Sequence, residues 1–145
     1  MDLLEAQAFW TLDMLPREKI PAIAQDALER GLDDPSLRIL AGLTKAELDE
    51  AVPRFEKTLA AMGYRALEKA EALQICIKVV SLQIVKNEVA PYQGARLIWR
   101  AAHKVIGTHE ADPFIYAASE YEDRPEDQEF FANAIVEEAR RRLGG

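Results

Sequence analysis

Between Ala72 and Val85 the chain carries apolar side chains at Leu73, Ile75, Ile77, Val79, Val80, Leu82, Ile84 and Val85. At helical pitch these fall almost all the way round the wheel, and no turn signals divide them into strands. A helix that is apolar all round is buried on most of its sides. The run therefore predicts a central apolar helix over about 65–89, inside an all-α fold. Gln74, Ser81 and Gln83 on that helix need hydrogen-bond partners wherever they are buried. Interrupted by Lys78 and Gln83, the run falls short of the ~20 apolar residues that a membrane span requires.

Proline and glycine punctuate the remainder, and the stretches between them are helix-periodic. Asp2 is placed to cap a helix over 3–15, stopped before Pro16. Pro21 and Gly31 bracket a second over 21–30, and Leu32 supplies the apolar residue that follows a Schellman turn. Asp34-Pro35 opens a short helix to about 40, ended near Gly42. Thr44-Lys45-Ala46-Glu47 is a capping box. Beyond it, Leu48, Val52, Phe55, Leu59 and Met62 form one stripe through Pro53. This is either one kinked helix to 62 or a restart capped by Asp49, with Pro53 still in its first turn. Further helices are expected over 91–106, 112–121 and 123–143. Seven to nine helices of unequal length suggest a compact irregular or orthogonal bundle, in a single domain over 1–145.

Composition narrows function mainly by exclusion. The net charge of −7 argues against a nucleic-acid partner, which requires a concentrated basic face, and against adsorption to anionic membranes. The N-terminus begins Met1-Asp2-Leu3-Leu4-Glu5 without a basic secretory leader, so a cytoplasmic, bacterial setting is expected. The one cysteine, Cys76, rules out an intramolecular disulfide and sits between Ile75 and Ile77, which marks it as a buried hydrophobe. His109, Glu110 and Asp112 offer ligand atoms close together. They match no zinc spacing, so no metal and no cofactor is expected. Ser36, Ser81 and Ser119 lie in no nucleophile elbow, and no glycine-rich phosphate loop is present. Nothing identifies catalytic residues, and the reading leans away from an enzyme.

Two charged segments stand out. On a wheel from Tyr92, the residues Gln93, Arg96, Arg100, His103 and Lys104 share one arc, while Gly94, Ala95, Ile98, Trp99, Ala101, Ala102, Val105 and Ile106 fill the rest. Gly94 costs roughly 1 kcal/mol there relative to alanine, so it marks a close backbone approach. The simpler reading is a packed amphipathic helix with a solvated basic face; the functional one is a basic patch for a partner or anion. From Glu110 to Glu138 there are ten acids and one base, Arg124, a balance of −9. Its densest part is Glu120, Glu122, Asp123, Glu126, Asp127 and Glu129. Acids at a helix start favour the macrodipole, as Arg140, Arg141 and Arg142 do at the other end. The functional reading is an acidic face that steers a basic protein.

The run Pro91-Tyr92-Gln93-Gly94-Ala95-Arg96-Leu97-Ile98-Trp99, together with Ser36-Leu37-Arg38-Ile39-Leu40-Ala41-Gly42-Leu43, resembles an uncharacterised family of small bacterial all-helical proteins. The motifs cover a small part of the chain and carry no catalytic chemistry, so the resemblance transfers no functional residue. In size, charge and class the chain is also similar to the immunity proteins of bacterial toxin systems, which implies a protein partner. The resulting expectation is a non-enzymatic helical domain of immunity or adaptor type. It would bind a protein through the acidic face or, failing that, through the basic one. The alternative is a small-molecule or enzymatic pocket between helices, lined by aromatics such as Trp10, Tyr64 or Trp99.

Overall fold

The computed structural model describes residues 1–144. Local chemistry sets most helix starts. Asp2 and Glu5 exchange side-chain to backbone hydrogen bonds, each 2.8 Å, and close a capping box on α1 (Leu3–Thr11). This helix ends four residues short of the expected 15. Asp13 turns left-handed at φ 56°, and the Met14 amide donates back to the Phe9 carbonyl at 2.8 Å, a Schellman closure that stops the helix before Pro16 can.

After a 3-10 turn (Arg17–Lys19) comes α2 (Ile20–Glu29), closed as expected by Gly31 at φ 97° and by Leu32, whose amide donates to Ala27. In α3 (Pro35–Ala41) the Asp34 carboxylate accepts from the Ser36 amide at 2.8 Å. The Thr44–Glu47 box caps a 3-10 turn (Lys45–Glu50) rather than an α-helix; the α-helix restarts as α4 (Ala51–Ala61), with Pro53 in its first turn. Asp49 is not its cap, because Glu50 holds the N-cap position without a side-chain hydrogen bond.

The long apolar helix is α5 (Lys69–Val85), four residues shorter at each end than the expected 65–89. Its C-terminus is closed by Asn87 in the left-handed region, φ 59°, with the Glu88 amide donating to Gln83 at 2.8 Å. Ala72, Leu73, Cys76, Ile77, Val80, Ser81 and Ile84 are buried. Leu82, however, is 41% exposed, and Ile75, Val79 and Val85 are half-buried. An all-apolar wheel thus overstated how much of this helix is covered. Then follow α6 (Pro91–Ala102), α7 (Asp112–Asp123), a 3-10 turn (Pro125–Asp127) and α8 (Gln128–Arg142). The expected 91–106 helix stops at Ala102, and turns carry the chain to Gly107 at φ 75°. The fold is all-α, with eight α-helices and no strand among the described residues.

The chain divides into two compact units, Met1–Glu68 and Lys69 onward. In the first, α2 packs on α1, α3 and α4, around a core that includes Leu3, Ile20, Ala24, Leu37, Leu40 and Phe55. Gln7 donates from Nε2 to the Arg65 carbonyl at 2.7 Å and so fastens α1 to the chain that follows α4. In the second unit each helix packs on the next, and α8 returns to pack on α5 and α6. Gly94 makes one of these contacts possible. A Cβ at that position would lie 2.5 Å from Ile84 Cγ1 and 2.6 Å from its Cδ1, so α6 approaches α5 more closely than alanine permits.

The end of α8 is held by charge. The buried Glu138 carboxylate accepts from Arg142 Nε at 2.7 Å and pairs with Arg141 at 2.8 Å. Arg142 also donates to the Glu110 carbonyl and lies over the Phe114 ring. Glu138 is the buried member of this cluster, and its charge is kept paired from two sides by arginines that reach out to solvent. No helix among the described residues is long and apolar enough to cross a membrane.

Candidate functional site

The acidic stretch folds into the corner between α7 and α8. Glu120, Glu122 and Asp123 lie in the last turns of α7, Glu126 and Asp127 in the 3-10 turn, and Glu129 in the first turn of α8. The structure separates these six into two groups. Arg124 neutralises Glu120 at 3.6 Å and Asp127 at 3.3 Å, and Glu122 faces Arg96 of α6 at 3.9 Å. Asp123, Glu126 and Glu129 are exposed and make no ion pair among the described residues. The corner is thus a partly compensated cluster with three free carboxylates. Those at the start of α8 also favour its macrodipole.

The basic face is more dispersed. Gln93, Arg96 and Arg100 lie on α6, His103 at its C-cap and Lys104 in the turn beyond. Arg96 sits over the Trp99 ring at 4.5 Å, and the His103 ring lies parallel to it at 6.5 Å. Tyr92 stacks on Tyr121 at 4.6 Å. Its phenol is held above the usual tyrosine range, first by desolvation and then by its hydrogen bond to Glu122 and the charge of that carboxylate. Each distinctive residue of the Pro-Tyr-x-Gly-Ala-Arg-x-Ile-Trp run therefore has a packing role. Pro91 starts α6, Tyr92 stacks, Gly94 admits Ile84, Ala95 and Ile98 are buried, and Arg96 covers Trp99. Arg100, His103 and Lys104 remain exposed.

A feature that the sequence reading missed lies beside the acidic corner. A groove of about 510 Å³ runs between α7 and α8, walled by Tyr116 and Phe130 and floored by Ala117, Phe131 and Ala134. Tyr116 is 62% exposed and Phe130 67%. Both meet the buried Phe131 edge-on, at 6.3 and 5.0 Å between ring centroids. The legible signal was the pair Phe130-Phe131. Neighbours on a helix point about 100° apart, so one of two adjacent phenylalanines is turned from the core that holds the other.

The remaining candidates are accounted for locally. His109 Nδ1 lies 2.9 Å from the Asp112 carboxylate, while Glu110 lies toward Arg142 at 3.7 Å. No group of three or more His, Cys, Asp or Glu residues is arranged to hold a metal ion among the described residues. Cys76 is buried, and desolvation pushes its thiol up to about 12, so it is not a thiolate at neutral pH. Trp10 and Tyr64 pack against the core of the first unit. Trp99 borders a cleft of about 270 Å³ with His103 and Thr108 in the second.

Compared with models of protein families, with curated proteins and with solved structures, the chain matches none of them.

Proposed function

We propose that the chain is a non-enzymatic binding module of immunity or adaptor type. The acidic corner of its second unit receives a basic protein partner. The observation that carries this reading is the coincidence of three uncompensated carboxylates, Asp123, Glu126 and Glu129, with the exposed aromatic pair Tyr116 and Phe130. Exposed charge steers encounter and raises the association rate, while aromatic anchors supply affinity once water is excluded. Contiguous exposed aromatics beside charge mark interaction surfaces more often than isolated apolar residues do.

The test is kinetic. A partner isolated from the native cell and then purified is measured against the parent chain and against the triple variant Asp123→Ser, Glu126→Ser, Glu129→Ser. These three are the informative set, because Glu122 and Asp127 also hold Arg96 and Arg124 in place. Association slows in the variant more than dissociation quickens, and the difference shrinks as salt rises, since exposed charges are screened beyond ~8 Å at physiological ionic strength. Normal binding by this variant, with binding abolished by Arg96→Ser, Arg100→Ser and Lys104→Ser, transfers the interface to the basic face and overturns the proposal.

A further inference from the structure

We infer that a hollow between α3 and α4 is a binding site for a phosphate monoester, whose anionic head is held by Arg54, Lys57 and the Ser36 hydroxyl. The site belongs to the first unit and does not depend on the reading of the acidic corner. Ser36 and Ile39 lie three residues apart on α3, and Arg54 and Lys57 three apart on α4, so each pair shares one helical face. The two helices pack together, and these four residues with Thr58 line a hollow of about 100 Å³. Pockets for drug-sized ligands begin at about 300 Å³. This one therefore takes an ion-sized head group and leaves the rest of a ligand outside.

Charge and unmade hydrogen bonds select that head group. Both charged residues of the lining are cations, in a chain of net charge −7. Lys57 makes no ion pair among the described residues. The Arg54 guanidinium makes no hydrogen bond among them either. One terminal nitrogen lies 3.6 Å from Glu50 Oε1, an attraction between charges beyond hydrogen-bond range, and Nε is closed off from solvent with no acceptor. A buried donor without an acceptor is unfavourable, and phosphate oxygens are acceptors that match the guanidinium fork. The Thr58 hydroxyl is committed to the Arg54 carbonyl at 2.8 Å, which leaves the hydroxyl of Ser36 to donate. The neighbouring acids stand outside the lining: Asp34 accepts from the Ser36 amide, Glu47 from Thr44, and Glu50 faces Arg54. Two cations and a hydroxyl match a phosphate monoester, which carries about −1.5 to −2 charges at neutral pH. Ile39, 49% exposed beside them, offers apolar surface to the ester group.

The experiment titrates the full chain with phenyl phosphate, inorganic phosphate and benzoate at constant ionic strength, read by NMR shifts of the backbone amides. Phenyl phosphate should bind saturably at millimolar concentration or below, shift the amides of Ser36, Ile39, Arg54 and Lys57, and bind more tightly than benzoate. Lys57→Gln and Arg54→Gln should each weaken it about tenfold, the loss of one charge-assisted hydrogen bond. Lys57 is exposed, so its variant keeps the parent's melting profile, which circular dichroism verifies, and it carries the test if Arg54→Gln is destabilised. Ile39→Ser should weaken phenyl phosphate and leave inorganic phosphate unchanged. Undiminished binding in Lys57→Gln, or shifts at Arg100 and Lys104 in place of these residues, overturns the inference. Inorganic phosphate that binds as tightly as the ester, with no effect of Ile39→Ser, assigns the hollow to the free ion and overturns the ester. Saturation by neither phosphate overturns the site altogether.

Discussion

The two units of the chain handle charge and apolar surface differently. In Met1–Glu68 the charged side chains are mostly used close to home. Asp2, Asp34 and Thr44–Glu47 serve helix starts, Arg30 and Arg54 pair one turn back, and Arg17 reaches Asp49 at 2.5 Å. The indentation on this unit between Ser36 and Arg54 encloses only about 100 Å³. From Lys69 onward two clefts enclose about 560 and 510 Å³ and a third about 270 Å³, two aromatics stand exposed, and carboxylates at the α7–α8 corner are left without cations. Neighbouring helical units of one chain thus satisfy their charged side chains to different extents, depending on what packs beside them.

The largest effects should come from the core of the second unit. Ile84→Asp buries an unpaired carboxylate at a site 1% exposed, at a cost of several kcal/mol that rivals total stability. It should be insoluble or lack a cooperative thermal transition. Leu82→Asp, two residues away but 41% exposed, should lose at most about 1 kcal/mol, chiefly helix propensity. Equal damage from the two substitutions, measured by urea denaturation, would show that this face of α5 is covered in solution.

Next in size is Phe55→Ala in the first unit, where the ring is 1% exposed. Truncating a buried phenylalanine costs about 3–5 kcal/mol. Native-state hydrogen exchange should show amides of α2 losing more protection than those of α5. A uniform loss across both helices would erase the distinction between the units at the level of cooperative unfolding.

Gly94→Ala probes the α5–α6 approach. The new methyl would meet the side chain of Ile84, and overpacking of this kind costs about 1–3 kcal/mol, partly offset by the better helix propensity of alanine. In the Ile84→Ala background the two closest contacts are gone and only Val89 Cγ1, at 3.3 Å, must give way, so the same substitution should cost far less or become neutral. A double-mutant cycle with no coupling would refute the close approach.

The smallest effect concerns a cap of the first unit. The Thr44 amide and hydroxyl both donate to the Glu47 carboxylate, at 3.0 and 2.9 Å, and hold its pKa below the usual value. A lowered folded pKa means the contribution is present above the unfolded pKa and is lost as pH falls through the folded one. Thr44→Ala should raise the Glu47 pKa in an NMR titration. Its small stability deficit at neutral pH should shrink in acid, where the carboxylate half of the capping box is lost; a deficit unchanged across that range would have another origin.

Much of this was legible in particular residues. Asp2 with Glu5, Asp34 before Pro35, Gly31 with Leu32, and Pro91 act through hydrogen bonds or torsions within one helical turn, so they behave in the fold as they read in the chain. Helix ends set by left-handed Asp13 and Asn87 were less visible, since these residue types serve equally in turns, caps and solvated faces. The candidate site was legible only in part. The acidic residues are legible, and so is the local pairing of Arg124 with Glu120 and Asp127, but the pairing of Glu122 with Arg96 requires that α6 and α7 lie side by side.

The helical class, the punctuation of the helices and the glycine at a close approach follow from the sequence itself, because propensity, capping and the missing Cβ are local properties. Tertiary structure alone decided which side of α5 is covered, that Glu122 meets Arg96, and that Tyr116 and Phe130 flank a hollow. Those outcomes depend on what lies opposite each side chain, and an apolar or charged residue does not encode its neighbour across the fold.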